Sequence, residues 1–147
     1  MHPGNSRTSA ARQAGSIIIW TSEEQESYTF HLPESGSGET VVFDIEEKTE
    51  EPRFIEMSGI PSAAIITLAS RDKDENDQPK WWVTWKTTHA PSMLRRFEVY
   101  YFGNSYIEGD FIIEGLGILV TKKSTEEVKR DGLGSITVEI SAAPPAA

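Results

Sequence analysis

The side chains that most often carry catalysis are few and scattered in this sequence. There is no cysteine, and the histidines His2, His31 and His89 lack the i, i+4 spacing of a zinc-binding helix. No Gly-x-Ser-x-Gly turn is present to expose a nucleophilic serine, and such separated histidines give no Ser, His, Asp order. Ser35–Glu39 (SGSGE) shares only its glycine content with a phosphate-cradling loop. It lacks the lysine and following helix that aim amides at phosphate, so it reads as a hairpin turn. Asp72, Asp74 and Asn76 have the 1, 3, 5 spacing of a calcium loop, but Asp77 stands where that loop needs glycine and Val83 where it needs glutamate. A solvated loop is the favoured reading, with a looser calcium site between strands as the alternative. Glu108, Asp110 and Glu114 alternate along one stretch; paired carboxylates can run glycoside hydrolysis. In a row along one strand, with Arg95, Arg96, Lys122 and Lys123 as cross-strand partners, they read instead as a charged, solvated face. No catalytic residue, metal site or cofactor is therefore expected, and the chain is read as acting by binding.

The residues best suited to binding come from alternation, because successive side chains on a strand point to opposite faces. In Trp81–Lys86 one face carries Trp81, Val83 and Trp85 and the other Trp82, Thr84 and Lys86. Further on, Phe97, Val99 and Tyr101 form an apolar row, and Arg96, Glu98, Tyr100 and Phe102 a mixed one. The apolar rows are expected in the core. If the two strands pair as a hairpin through Thr88–Arg95, their outer faces join Trp82, Lys86, Arg96, Glu98 and Tyr100 into one surface of rings among charges. Such a surface suits a sugar, with a ring under its C–H face and Arg or Glu on its hydroxyls. It equally suits a protein partner, or simple cross-strand packing.

The elements that would position these residues are strands. The 147-residue length fits one domain, and 37% hydrophobic with 10% aromatic residues is enough material for a core. Short β-branched and aromatic runs alternate with Gly, Pro, Asn, Asp and Ser clusters, which predicts strands near 16–20, 27–32, 40–46, 53–57, 63–69, 81–87, 96–102, 106–114, 116–122 and 134–140. Ser124–Arg130 reads as a short helix or as a charged hairpin tip. The fold class is all-β, an antiparallel β-sandwich of jelly-roll or H-type-lectin-like form. Residues 1–15 read as a basic arm, 16–140 as the single sandwich domain and 141–147 as an Ala/Pro-rich tail. No apolar run is long enough to span a bilayer or to serve as a Sec-type signal core, so a soluble protein is expected, its compartment left open. Net charge is −9, which opposes nucleic-acid binding. Residues 1–20 carry +2, residues 21–52 carry −9 and the remainder −2, so the acidity is concentrated in one stretch.

From Phe54 onward the order of elements resembles the H-type lectin domain. The carriers are Phe54, Ile60-Pro61, the apolar strand Ala63–Leu68, an acidic loop, the strand Trp82–Lys86, then Phe97 opening an aromatic strand and Gly103-Asn104. The resemblance implies a small antiparallel sandwich that associates as trimers or hexamers and binds sugars between protomers. Of that family's sugar-binding set, only a loop acid has a counterpart, at Asp72; the aromatic residue near the end of its last strand has none at Gly115 and Leu116. The expected function is a self-associating, lectin-like carbohydrate-binding module. The alternative is a structural assembly protein, such as a virion decoration or capsid-associated component, held by its terminal arms.

Overall fold

A computed structural model describes residues 15–143. The arm read over 1–15, apart from Gly15, and the last residues of the tail lie outside the described residues. The strands are β1 (Ser16–Thr21), β2 (Ser27–His31), β3 (Thr40–Asp44), β4 (Pro52–Ile60), β5 (Ile65–Ser70), β6 (Trp82–Thr87), β7 (Ser92–Glu98), β8 (Gly115–Leu116), β9 (Ile118–Lys123) and β10 (Leu133–Glu139). Among the described residues a short helix, α1, spans Val99–Ser105. Every strand pairing is antiparallel, in two five-stranded sheets ordered β2-β1-β4-β7-β8 and β3-β10-β5-β6-β9. The expected antiparallel β-sandwich is what the chain forms.

Alternation builds the core. Ile17 and Ile19, Ile55 and Met57, Ile66 and Leu68, Val83 and Trp85, and Ile136 and Val138 each point inward two residues apart and are buried. Trp81, Val83 and Trp85 are in the core as expected, and Trp85 meets the ring of Phe102 edge-on at 6.3 Å. The sheets share their strands unevenly along the chain: β1–β2 and β5–β6 are hairpins, while β6 and β7 belong to different sheets.

That division overturns the expected pairing of the Trp82 and Arg96 strands. The chain between them turns a corner fastened by two buried hydroxyls. Thr87 Oγ1 donates to Pro61 O (2.6 Å) and accepts from Ala64 N (2.9 Å), and Ser92 Oγ donates to His89 O (2.8 Å). With both hydroxyls committed to the corner, β7 pairs with β4 in the other sheet.

Three further expectations are corrected. The strand read over 96–102 stops at Glu98 and becomes α1, because Val99, Phe102, Gly103 and Tyr106 are buried at helical spacing. The two rows consequently change places in part: Phe97 is exposed and Tyr101 half-buried, while Phe102, read on the mixed outer row, is fully buried. The stretch 106–114 is a loop rather than a strand, reversed at Gly109 (φ 94°): Tyr106 and Ile112 are buried, while Ile107, Phe111 and Ile113 are exposed. No helix forms over 124–130. Val128 is instead held in the core by Asn104, whose side chain bonds both its N–H and its carbonyl at 2.9 Å.

Candidate functional site

The five residues expected to form one surface lie on two. Arg96 and Glu98 project from the outer face of the first sheet, and Tyr100 follows on α1. Trp82 and Lys86 project from the outer face of the second sheet. Across the sandwich these groups do not meet.

On the first sheet the pattern of rings among charges is real, but it is made with other partners. Arg96 lies over the ring of Trp20, 4.2 Å from its centroid, and its Nε is 3.7 Å from Glu24 and 3.8 Å from Glu56. The Trp20 indole N–H donates to Glu56 at 2.7 Å. Arg130 covers Tyr100 at 4.6 Å and pairs with Glu98 at 2.9 Å. Both rings already have a guanidinium on one face, so this surface spends its stacking capacity internally. Trp20 and Glu56 lie far from Arg96 in the sequence, and only the inward set of Ile17 and Ile19 hints that Trp20 points outward.

The outer face of the second sheet is different. Its central cross-strand row is Val42, Thr137, Thr67, Thr84 and Lys122. Thr67 and Thr84 share a hydrogen bond of 3.1 Å. On one side runs the row Thr40, Glu139, Ile65, Lys86 and Leu119, and on the other Asp44, Ser135, Ala69 and Trp82. Trp82 is half-buried, with its backbone N–H held by Ser124 Oγ at 2.9 Å. Beside Asp44 and Ser135 opens a cleft of about 200 Å³ whose lining includes Glu46, Arg71 and Lys73. The intervening Ala69 leaves Trp82 two strand spacings from Ser135, roughly 9 to 10 Å. Among the described residues Glu46 and Lys73 form no ion pair, while the Arg71 guanidinium is tied to the carbonyls of Glu50 (3.0 Å) and Asp131 (2.8 Å). The sequence singled out Trp82 here but missed the cleft, because Asp44, Arg71 and Ser135 come together only through the β3-β10-β5 pairing.

Two other places were candidates. A larger cleft of about 500 Å³, bordered by Gly36, Gly59, Pro61, Pro91 and Ala142, has no ionisable side chain in its lining. The acidic loop between β5 and β6 is stabilised from within: the Asp74 carboxylate accepts from the N–H groups of Asn76 (2.8 Å) and Gln78 (3.0 Å). Among the described residues no group of three or more His, Asp or Glu is placed to hold a metal ion.

A buried polar cluster closes the opposite side of the sandwich. Tyr106 is buried, its hydroxyl donates to Glu114 and accepts from Ile113 N (3.2 Å), and Tyr101 donates to the other oxygen of Glu114 at 3.0 Å. Burial, and then the bond to Glu114, raise the Tyr106 phenol above its ordinary value. The bond from Tyr106 in turn holds the Glu114 carboxyl below its own. A phenol so firmly protonated is a structural donor and a poor base. Comparison with protein-family models, with curated proteins and with solved structures finds no match for this chain.

Proposed function

We propose that this protein is a non-catalytic recognition module that binds a carbohydrate on the outer face of the second sheet. The observation that carries this reading is the row joining Trp82 to the polar cleft at Asp44 and Ser135. Trp82 stands three strand spacings, roughly 14 Å, from Asp44, so the ligand is an oligosaccharide. One sugar rests its C–H face on the Trp82 ring and the next ones present their hydroxyls to Asp44, Glu46 and Lys73, two acceptors and one donor without internal ion pairs. Arg96, Glu98 and Tyr100 fall outside this site, and Lys86 lies on the same face two rows away, beyond the Thr67–Thr84 row.

The test is binding of the full chain to an immobilised glycan panel. Retention of at least one glycan is expected, and Trp82→Ala or Asp44→Asn should weaken it about tenfold, near 1.4 kcal/mol. Arg96→Ala, on the opposite face, should leave it unchanged. No retained glycan, or binding indifferent to Trp82→Ala, removes this reading.

A second reading, a structural assembly component, draws on a different observation. Exposed apolar side chains gather on the far side of the molecule, around the segment 106–117.

A further inference from the structure

The two long sides of the sandwich differ in chemistry. β2 and β3 form one side, and β8 and β9 form the other. The stretch 21–52, with its net charge of −9, contains β2 and β3 and the turns and loops that flank them. On the opposite side, segment 106–117 closes the gap between the sheets. Gly109 N donates to Val120 O (2.8 Å) and Ile112 N to Ile118 O (3.0 Å), both on β9, while Arg95 N on β7 donates to Glu114 O (2.9 Å). With Tyr106 and Ile112 turned inward, Ile107, Phe111 and Ile113 must face solvent. Among the described residues the exposed large apolar side chains are Val42 and Tyr100 together with Phe97, Ile107, Phe111, Ile113 and Leu116. Ile107, Phe111, Ile113 and Leu116 lie in or beside segment 106–117, and Phe97 stands next to them on β7, its ring edge-on to Tyr101 at 4.7 Å. Ile113 is 80% exposed.

The middle of this strip is fastened to the body of the sandwich, since Glu114 is held by two tyrosines and the Ile113 N–H by one of them. A fixed apolar surface loses little conformational entropy on docking, and clustered exposed apolar residues mark interaction surfaces. Its rim is charged with opposite sign at its two ends. Exposed Arg95 stands at the β7 end, near enough to Glu114 to act on its charge, and exposed Glu108 in the 107–110 turn; among the described residues neither forms an ion pair within 4.0 Å. We propose that the strip of Phe97, Phe111, Ile113 and Leu116 is the interface with a second copy of this chain in a two-fold dimer. A two-fold axis near Ile113 exchanges the ends, so Arg95 of each copy meets Glu108 of the other, the self-complementarity that an isologous contact requires. The same arrangement turns both acidic sides outward, where −9 on each copy repels least. This inference deepens the assembly reading and is independent of the carbohydrate site, which lies on the face around Trp82.

Sedimentation velocity of the full chain over a concentration series tests it. The expected result is a reversible dimer. Ile113→Glu should raise the dissociation constant about a hundredfold, roughly one power of ten for each Ile113 removed from the contact. Because Ile113 is exposed, the variant's circular dichroism should match the parent protein's, and so should its melting at concentrations low enough for both to be monomeric. Arg95→Glu should weaken the dimer, and Arg95→Glu combined with Glu108→Arg should restore it. A monomer throughout the series overturns both this interface and the assembly reading. A trimer or hexamer sensitive to Ile113→Glu overturns the two-fold arrangement alone, and a dimer indifferent to Ile113→Glu places the contact elsewhere and overturns the strip.

Discussion

Tyr106 and Glu114 show how one pair of side chains can fix a whole segment. The hydroxyl satisfies a carboxylate and an amide at once, so removing it leaves two polar groups short of a partner. Tyr106→Phe should cost about 1 to 2 kcal/mol in chemical denaturation. The same pair sets the limits of pH stability. Glu114 is held below its ordinary value in the fold, so its contribution is present above the carboxylate's unfolded value and is lost as pH falls through the folded one. Tyr106 is held above its ordinary value, so its contribution is full below about pH 10, the unfolded phenol range, and is lost as pH rises beyond it. A pH series of thermal melts should therefore decline at both extremes, and Tyr106→Phe should flatten the alkaline decline; an unchanged alkaline limb in that variant would count against this account. None of this pairing was visible beforehand. Glu114 read as one more acid on a solvated face, because the tyrosines that bond it are brought over by α1 and by the reversal at Gly109.

At the level of elements, the corner between β6 and β7 decides which strands share a sheet. It packs against Gly117, the single residue between β8 and β9. That glycine has φ 73°, and a Cβ there would stand 2.7 Å from both His89 Nδ1 and Ser92 Oγ. Gly117→Ala should destabilise the fold by about 2 kcal/mol or more, from the left-handed backbone and the crowding together, and the melting temperature should fall accordingly. A variant as stable as the parent would show that the corner yields. Strands whose inward side chains alternate cleanly, such as Ile17 and Ile19 or Ile136 and Val138, were legible from the sequence. The stretch from Phe97 to Glu114 was not, because Phe97, Val99 and Tyr101 satisfy a period of two while Val99, Phe102, Gly103 and Tyr106 satisfy a helical one. Packing on Val128 and Trp85 settles the competition for the helix, since only that geometry buries Phe102.

For the whole molecule, charge and apolar surface are segregated to opposite sides, and each side has a measurable consequence. Repulsion within the acidic stretch acts through solvent and is screened by salt. Raising sodium chloride to about 0.5 M, where the screening length falls below roughly 5 Å, should raise the melting temperature by a few degrees. A fall would mean that exposed pairs such as Arg96 with Glu24 and Glu56 outweigh the repulsion. By itself the sequence determined that this chain is an antiparallel sandwich, which residues of its regular strands face inward, and that its acidity is localised; these follow from period-two alternation, turn chemistry and charge, all of them local along the chain. Only the tertiary structure decided that Trp82 and Arg96 lie on opposite faces, that a polar cleft opens at the far end of the cross-strand row that Trp82 begins, and that an apolar strip faces away from the acid. Those depend on which strands become neighbours, and the buried corner fastens that choice through hydrogen bonds that join Thr87 to Pro61 and Ala64 and Ser92 to Gly117, all distant in sequence.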